Sequence, residues 1–137
     1  MIRSLLPLVL LFAAVPLRAA DSARDAASVI TGLAAALTAG DAQDFLSPFD
    51  SGIAGYERLR AGVDALVRLG ETQSFLEITR NEGDAHTRNL EIDWDLRIRR
   101  EGDATPSRRE VLVKCTLELR GRRWRITAFA PVEFLIP

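Results

Sequence analysis

Apolar and polar positions change period once along the chain, dividing it into a helical part and a strand part. From Ser22 to Thr38, Ala26, Val29, Ile30, Leu33, Ala34 and Leu37 recur at spacings of three and four, the stripe of an amphipathic helix. Gly40 stops it, and Asp41 stands ready to cap a short second helix through Leu46. Ser47-Pro48 ends that helix, because the residue before proline avoids helical geometry, and a loop follows to about Ile53. Tyr56, Leu59, Val63, Leu66 and Val67 make a second apolar stripe, with Glu57, Arg58, Arg60, Asp64 and Arg68 opposite. This is a third helix, closed by Gly70.

Beyond Gly70 the period is two. Leu90, Ile92, Trp94, Leu96 and Ile98 alternate with Glu91, Asp93, Asp95, Arg97 and Arg99, as in a strand with one buried and one solvated face. Val111 to Leu119 and Trp124 to Ala128 repeat the pattern, leaving the inner face of these three strands without an outright ionisable residue. Gln73 to Asn81 is a fourth strand whose facing is open, because Phe75 and Leu76 are adjacent and must point opposite ways. Gly121-Arg122 suits a two-residue turn of type II′. It pairs Arg120 with Arg123, Leu119 with Trp124, Leu117 with Ile126 and Glu118 with Arg125, and carried further it sets Lys114 against Phe129 and Leu112 against Pro131. The hairpin through Glu101 to Ser107 leaves two registers, with Lys114 opposite Asp93 or Asp95. The fold class is therefore α+β, with amino-terminal helices packed on a curved four-stranded antiparallel meander.

The start of the chain adds a destination. Arg3 precedes an apolar run from Leu5 to Val15, and Leu17-Arg18-Ala19-Ala20 ends in small residues, the order of a secretory signal peptide. The run is about half the roughly 20 residues a membrane-spanning helix needs, so stable insertion after cleavage is not expected. The expected organisation is a signal peptide over 1–20 and one domain over 21–137, with a mature amino terminus at Ala20 or Asp21 and a periplasmic or secreted product. Cleavage removes Arg3 and Arg18, which leaves 16 basic against 19 acidic residues and a net charge of -3. Such a chain has no positive field to gather nucleic acid. The single cysteine, Cys115, cannot close an intrachain disulfide, and the single histidine, His86, cannot complete a Cys/His metal site, so no metal or other cofactor is expected.

Helices followed by a long antiparallel meander, together with Asp93-Trp94, Leu96-Arg97-Ile98-Arg99, Arg108-Arg109 and Trp124-Arg125-Ile126 before Phe129, Pro131, Phe134 and Pro137, resemble the nuclear transport factor 2-like superfamily, in particular its small exported bacterial members. The resemblance covers essentially the whole mature chain. It implies a cone-shaped fold, a pocket between helices and sheet, and often a dimer through the sheet. It does not imply one activity, since the superfamily mixes enzymes, ligand binders and assembly modules.

Trp94, Leu96 and Trp124 fall on the inner face and are candidate pocket residues, with Tyr56 placed to bring its hydroxyl to the cavity mouth. Asp93 and Asp95 have the opposite parity and face solvent, where neighbouring cations keep them ionised. His86 reads as an exposed loop residue, Cys115 as a small buried hydrophobe, and Arg97, Arg99, Arg100, Arg108 and Arg109, interspersed with Glu101, Asp103 and Glu110, as a charge-paired rim. The leading expectation is an exported, noncatalytic module that binds a small apolar ligand or a protein partner in or beside the pocket. The alternative is an enzyme of the ketosteroid isomerase-like or polyketide cyclase-like kind, which needs a polar group from Tyr56, Asp50 or the first strand. Leu112 and Phe129 break the polar alternation of the outer face and are the candidate core of a homodimer interface.

Overall fold

The computed structural model describes residues 19–137. The apolar run that motivates a signal peptide lies outside the described residues, and no described helix is long and apolar enough to cross a membrane. Three helices come first: α1 over Ala19–Thr38, α2 over Ala42–Leu46 and α3 over Tyr56–Leu69. Four strands follow, β1 over Gly70–Gly83, β2 over Thr87–Arg100, β3 over Ser107–Arg120 and β4 over Arg123–Ala130, with a single 3-10 turn at Glu133–Leu135. The strands form one antiparallel sheet in the order β1-β2-β3-β4, with the helices against its inner face.

The helical periodicity holds. Ala26, Ile30, Leu33 and Leu37 of α1 and Leu59, Val63 and Leu66 of α3 are buried against Leu90, Ile92, Trp94, Leu96 and Ile98 of β2. Asp41 caps α2, its Oδ1 accepting from the Asp44 amide at 2.9 Å. The loop after α2 does more than connect. The Ile126 amide donates to the Pro48 carbonyl at 2.8 Å and the Asp50 amide to the Ile126 carbonyl at 2.9 Å, so this segment covers part of the free edge of β4.

Two registers differ from the sequence reading. The β3–β4 hairpin turns at Gly121, whose φ of +63° suits a tight hairpin, and pairs Arg120 with Arg123 through Leu117 with Ile126 as expected. Beyond Leu117 the register shifts by one, so Thr116 faces Ala128, Cys115 faces Phe129 and Lys114 faces Ala130. A one-residue slip moves every later side chain to the other side of the sheet. Phe129 therefore points inward, 5% exposed, with its ring 5.3 Å from that of Phe49 and 6.4 Å from that of Trp94. It is not an outer-face residue. Burying a phenylalanine ring gains about 2 kcal/mol, more than the roughly 1 kcal/mol of a ladder hydrogen bond lost at the bulge.

In the β2–β3 hairpin Lys114 stands opposite Glu91, with Asp93 opposite Leu112 and Asp95 opposite Glu110. This is neither register read from the sequence, although the inward and outward sets are the expected ones. Both strands also run further than the alternation indicated. Their extensions bring Arg88 and Arg109 to inner-face positions, opposite Leu117 and Leu96, so the inner face does carry charge at its ends. Arg88 is 4% exposed and donates to the Asn81 side-chain and main-chain oxygens at 3.0 and 2.8 Å.

Candidate functional site

The inner-face candidates belong to the packed core. Trp94 is 1% and Leu96 0% exposed. The Trp94 indole donates to Ser74 Oγ at 3.1 Å, and its ring meets Phe134 edge-on at 5.3 Å. Trp124 is 9% exposed opposite Leu119, and Tyr56, at the first turn of α3, packs half-buried against the same core. These four residues lie on the helix–sheet side, joined there by Phe129, Phe134 and Leu135.

Asp50 and Asp84 are bound into loops. Asp50 accepts from the Gly52 amide at 2.9 Å and from Arg120 at 2.7 Å, and these hydrogen bonds hold its carboxyl below the usual carboxylate range. The amides of His86 and Thr87 do the same for Asp84, each at 2.8 Å, while the His86 side chain is exposed. Cys115 is buried beside Phe129, and burial pushes its thiol up to about 12. Among the described residues no three His, Cys, Asp or Glu side chains stand together to hold a metal ion.

The outer face is different. Across β1, β2 and β3 its residues form rows: Gln73, Arg97 and Arg108, then Phe75, Asp95 and Glu110, then Glu77, Asp93 and Leu112, then Arg80, Glu91 and Lys114. Phe75 and Leu112 are 51% and 45% exposed, the large apolar side chains left most open among the described residues. They line one shallow depression of about 560 Å³ together with Glu77, Asp93, Asp95 and Glu110. Asp95 is tied down, because Arg108 Nε lies 3.1 Å from both its oxygens and this hydrogen bond holds the carboxyl below its ordinary range. Arg97 adds a contact at 3.4 Å while its guanidinium lies over the Phe75 ring, 4.6 Å from the centroid. Glu77 and Asp93, directly opposite one another, form no salt bridge among the described residues, an arrangement that costs stability in the isolated sheet. A second depression of about 400 Å³ continues the surface past Glu91 and Lys114 to Ala128 and Ala130.

Leu112 was legible as an outer-face residue, and Phe75 was not. The signal for Phe75 lay in its neighbours, since Leu76 and Ile78 share one parity and Gln73 and Glu77 the other.

No protein-family model matches the chain, and no curated protein matches it significantly. Solved structures do. A Nostoc punctiforme protein of unknown function with a cystatin-like fold superposes with a TM-score of 0.61 at 14% identity, over 77% of this chain and 86% of that one. A Streptomyces avermitilis protein of the nuclear transport factor 2-like family, provisionally named a dehydratase, does so at 0.61 and 12% identity, over 79% and 93%. A Thiobacillus denitrificans protein provisionally named a calcium/calmodulin-dependent protein kinase type II association domain does so at 0.59 and 14%, over 75% and 90%. With helices first, a four-stranded antiparallel meander after them and these structural neighbours, the chain has the cone-shaped nuclear transport factor 2-like, or cystatin-like, α+β fold.

Proposed function

We propose that the chain is an exported, noncatalytic binding module that works through the outer face of its sheet, where its partner is a second copy of itself. The observation that carries this reading is the placement of Phe75 and Leu112 in one depression on a face otherwise covered by charge. Exposed apolar residues gathered with a polar rim mark interaction surfaces. The charge rows favour a second copy: the acidic rows through Glu77 and Asp93 and through Asp95 and Glu110 lie between a row with Arg97 and Arg108 and a row with Arg80 and Lys114. Offset by one row along the strands, two such faces set a basic row of each over an acidic row of the other, around the apolar side chains. With Phe129 turned inward, Phe75 takes its place beside Leu112 as interface core.

The enzyme alternative gains no comparable support. Asp93 and Asp95 point away from the helices, and the hydrogen bonds on Asp50, Asp84 and Asp95 lower their pKa values, whereas a general acid or base works best with a pKa near the operating pH.

The test is sedimentation velocity of residues 21–137. Leu112→Glu and Phe75→Glu should each convert dimer to monomer with far-ultraviolet circular dichroism unchanged, since neither side chain enters the core. A folded double variant that stays dimeric would place the interface elsewhere. Export has its own test: the intact mass of material secreted by the native host should start at Ala20 or Asp21, and a mass retaining Met1 through Ala19 would contradict cleavage.

A further inference from the structure

The tail after β4 is held unlike the rest of the chain. Val132, Phe134 and Leu135 are 8%, 7% and 0% exposed, as buried as the sheet core. Phe134 inserts its ring against Trp94 at 5.3 Å and Phe129 at 6.4 Å. Yet the main-chain hydrogen bonds of this segment close within it: the Leu135 amide donates to the Val132 carbonyl at 3.0 Å and the Ile136 amide to the Glu133 carbonyl at 3.1 Å. The Val132 amide likewise donates to the Glu133 side chain at 3.0 Å. Among the described residues, no hydrogen bond from main chain to main chain therefore ties the segment to the body. Arg109 donates one Nη1 to the Phe134 and Ile136 carbonyls at 2.9 and 2.7 Å, and the exposed Arg58 pairs with Glu133 at 2.9 Å. On α3, Gly62 has no side chain where Ile136 crosses; a Cβ there would lie 2.6 Å from Ile136 Cγ1.

Arg109 is the telling group. It is half-buried at an inner-face position opposite Leu96, it forms no salt bridge among the described residues, and it spends its charge on two neutral carbonyls. A guanidinium so placed binds a carboxylate more strongly than it binds carbonyl oxygens, through paired charge-assisted hydrogen bonds. An aromatic ring in an apolar slot and oxygen acceptors on an arginine at its mouth together have the pattern of an aryl carboxylic acid.

We propose that Val132–Pro137 is a built-in occupant of a ligand site, and that the site, walled by Trp94, Phe129 and α3 around Gly62, takes a small carboxylic acid with a ring-sized apolar body, Arg109 holding the carboxylate. The segment competes with the ligand, so apparent affinity is reduced by the fraction of molecules in which it is seated. No covalent step is involved. The inference stands apart from association through the outer face: ligand titration reads the first and sedimentation the second.

The test uses residues 21–137, with phenylacetic acid as probe and 2-phenylethanol as its neutral counterpart. Phe134→Ala empties the ring slot and should bind the acid at least tenfold more tightly than the unaltered chain does. On that background the alcohol should bind about tenfold more weakly than the acid, and Arg109→Gln should erase the difference. In the unaltered chain, saturating acid should speed hydrogen exchange at the Leu135 and Ile136 amides while leaving β2 unchanged, which a merely structural tail would not show. A folded Phe134→Ala chain that binds no more tightly, equal affinity for acid and alcohol, or tail amides indifferent to the acid would each overturn the proposal. If Phe134→Ala does not fold, Phe134→Leu, with a smaller loss of packing, carries the same criteria.

Discussion

One inserted residue in β4 decides on which side of the sheet the Phe129 ring lies. Strict alternation from Trp124 through Ile126 to Ala128 made the outward reading of Phe129 natural, and the shift after Leu117 reversed it. Composition does not encode such a bulge, because the advantage of burying the ring comes from Phe49 and Trp94, distant in sequence. Cys115 is the opposite case, legible from Val113 and Leu117 on either side. Burial that pushes its thiol from 9.0 to about 12 makes it unreactive. At pH 8 the folded protein should leave 5,5′-dithiobis(2-nitrobenzoate) unreacted, whereas the urea-unfolded chain should react stoichiometrically within minutes; rapid reaction of the folded protein would show the thiol to be accessible. The folded chain keeps the Cys115 proton above the unfolded value, so the contribution of this thiol to stability is constant below about pH 9 and is lost as pH rises from there toward 12.

At the level of elements, the helices, the strands and the tight turn at Gly121 could all be read from periodicity and turn chemistry. The hairpin between β2 and β3 could not, because a shift of two residues preserves every facing and the loop from Glu101 to Pro106 has no fixed length to choose among registers. The junction of α3 and β1 was half legible: Gly70 was read as a helix stop, but it is also the first residue of the strand and pairs with Arg100. A Cβ at Gly70 would lie 2.1 Å from the Arg99 carbonyl oxygen, a backbone atom that cannot move without opening the β1–β2 pair. Gly70→Val should therefore cost about 1 to 3 kcal/mol, read as a lower urea midpoint. An unchanged midpoint would mean that the two strands do not approach so closely there.

The whole molecule presents two unlike surfaces from one sheet. Its inner face is closed by α1, α3 and the carboxyl-terminal segment, which the sequence showed only as separate apolar residues: Phe134 was visible, its seat against Trp94 was not, since nothing local links positions 40 residues apart. Its outer face keeps charge in alternating rows and leaves Phe75 and Leu112 open. The fold itself hosts proteins of different named roles and decides nothing about activity, so the account rests on that outer surface. Sedimentation equilibrium of the unaltered chain over residues 21–137, at tens of micromolar and hence above about a micromolar dissociation constant, tests it most directly. A dimer through this face gives twice the monomer mass, falling to the monomer mass for Leu112→Glu; a monomeric unaltered chain at that concentration would rule such a dimer out.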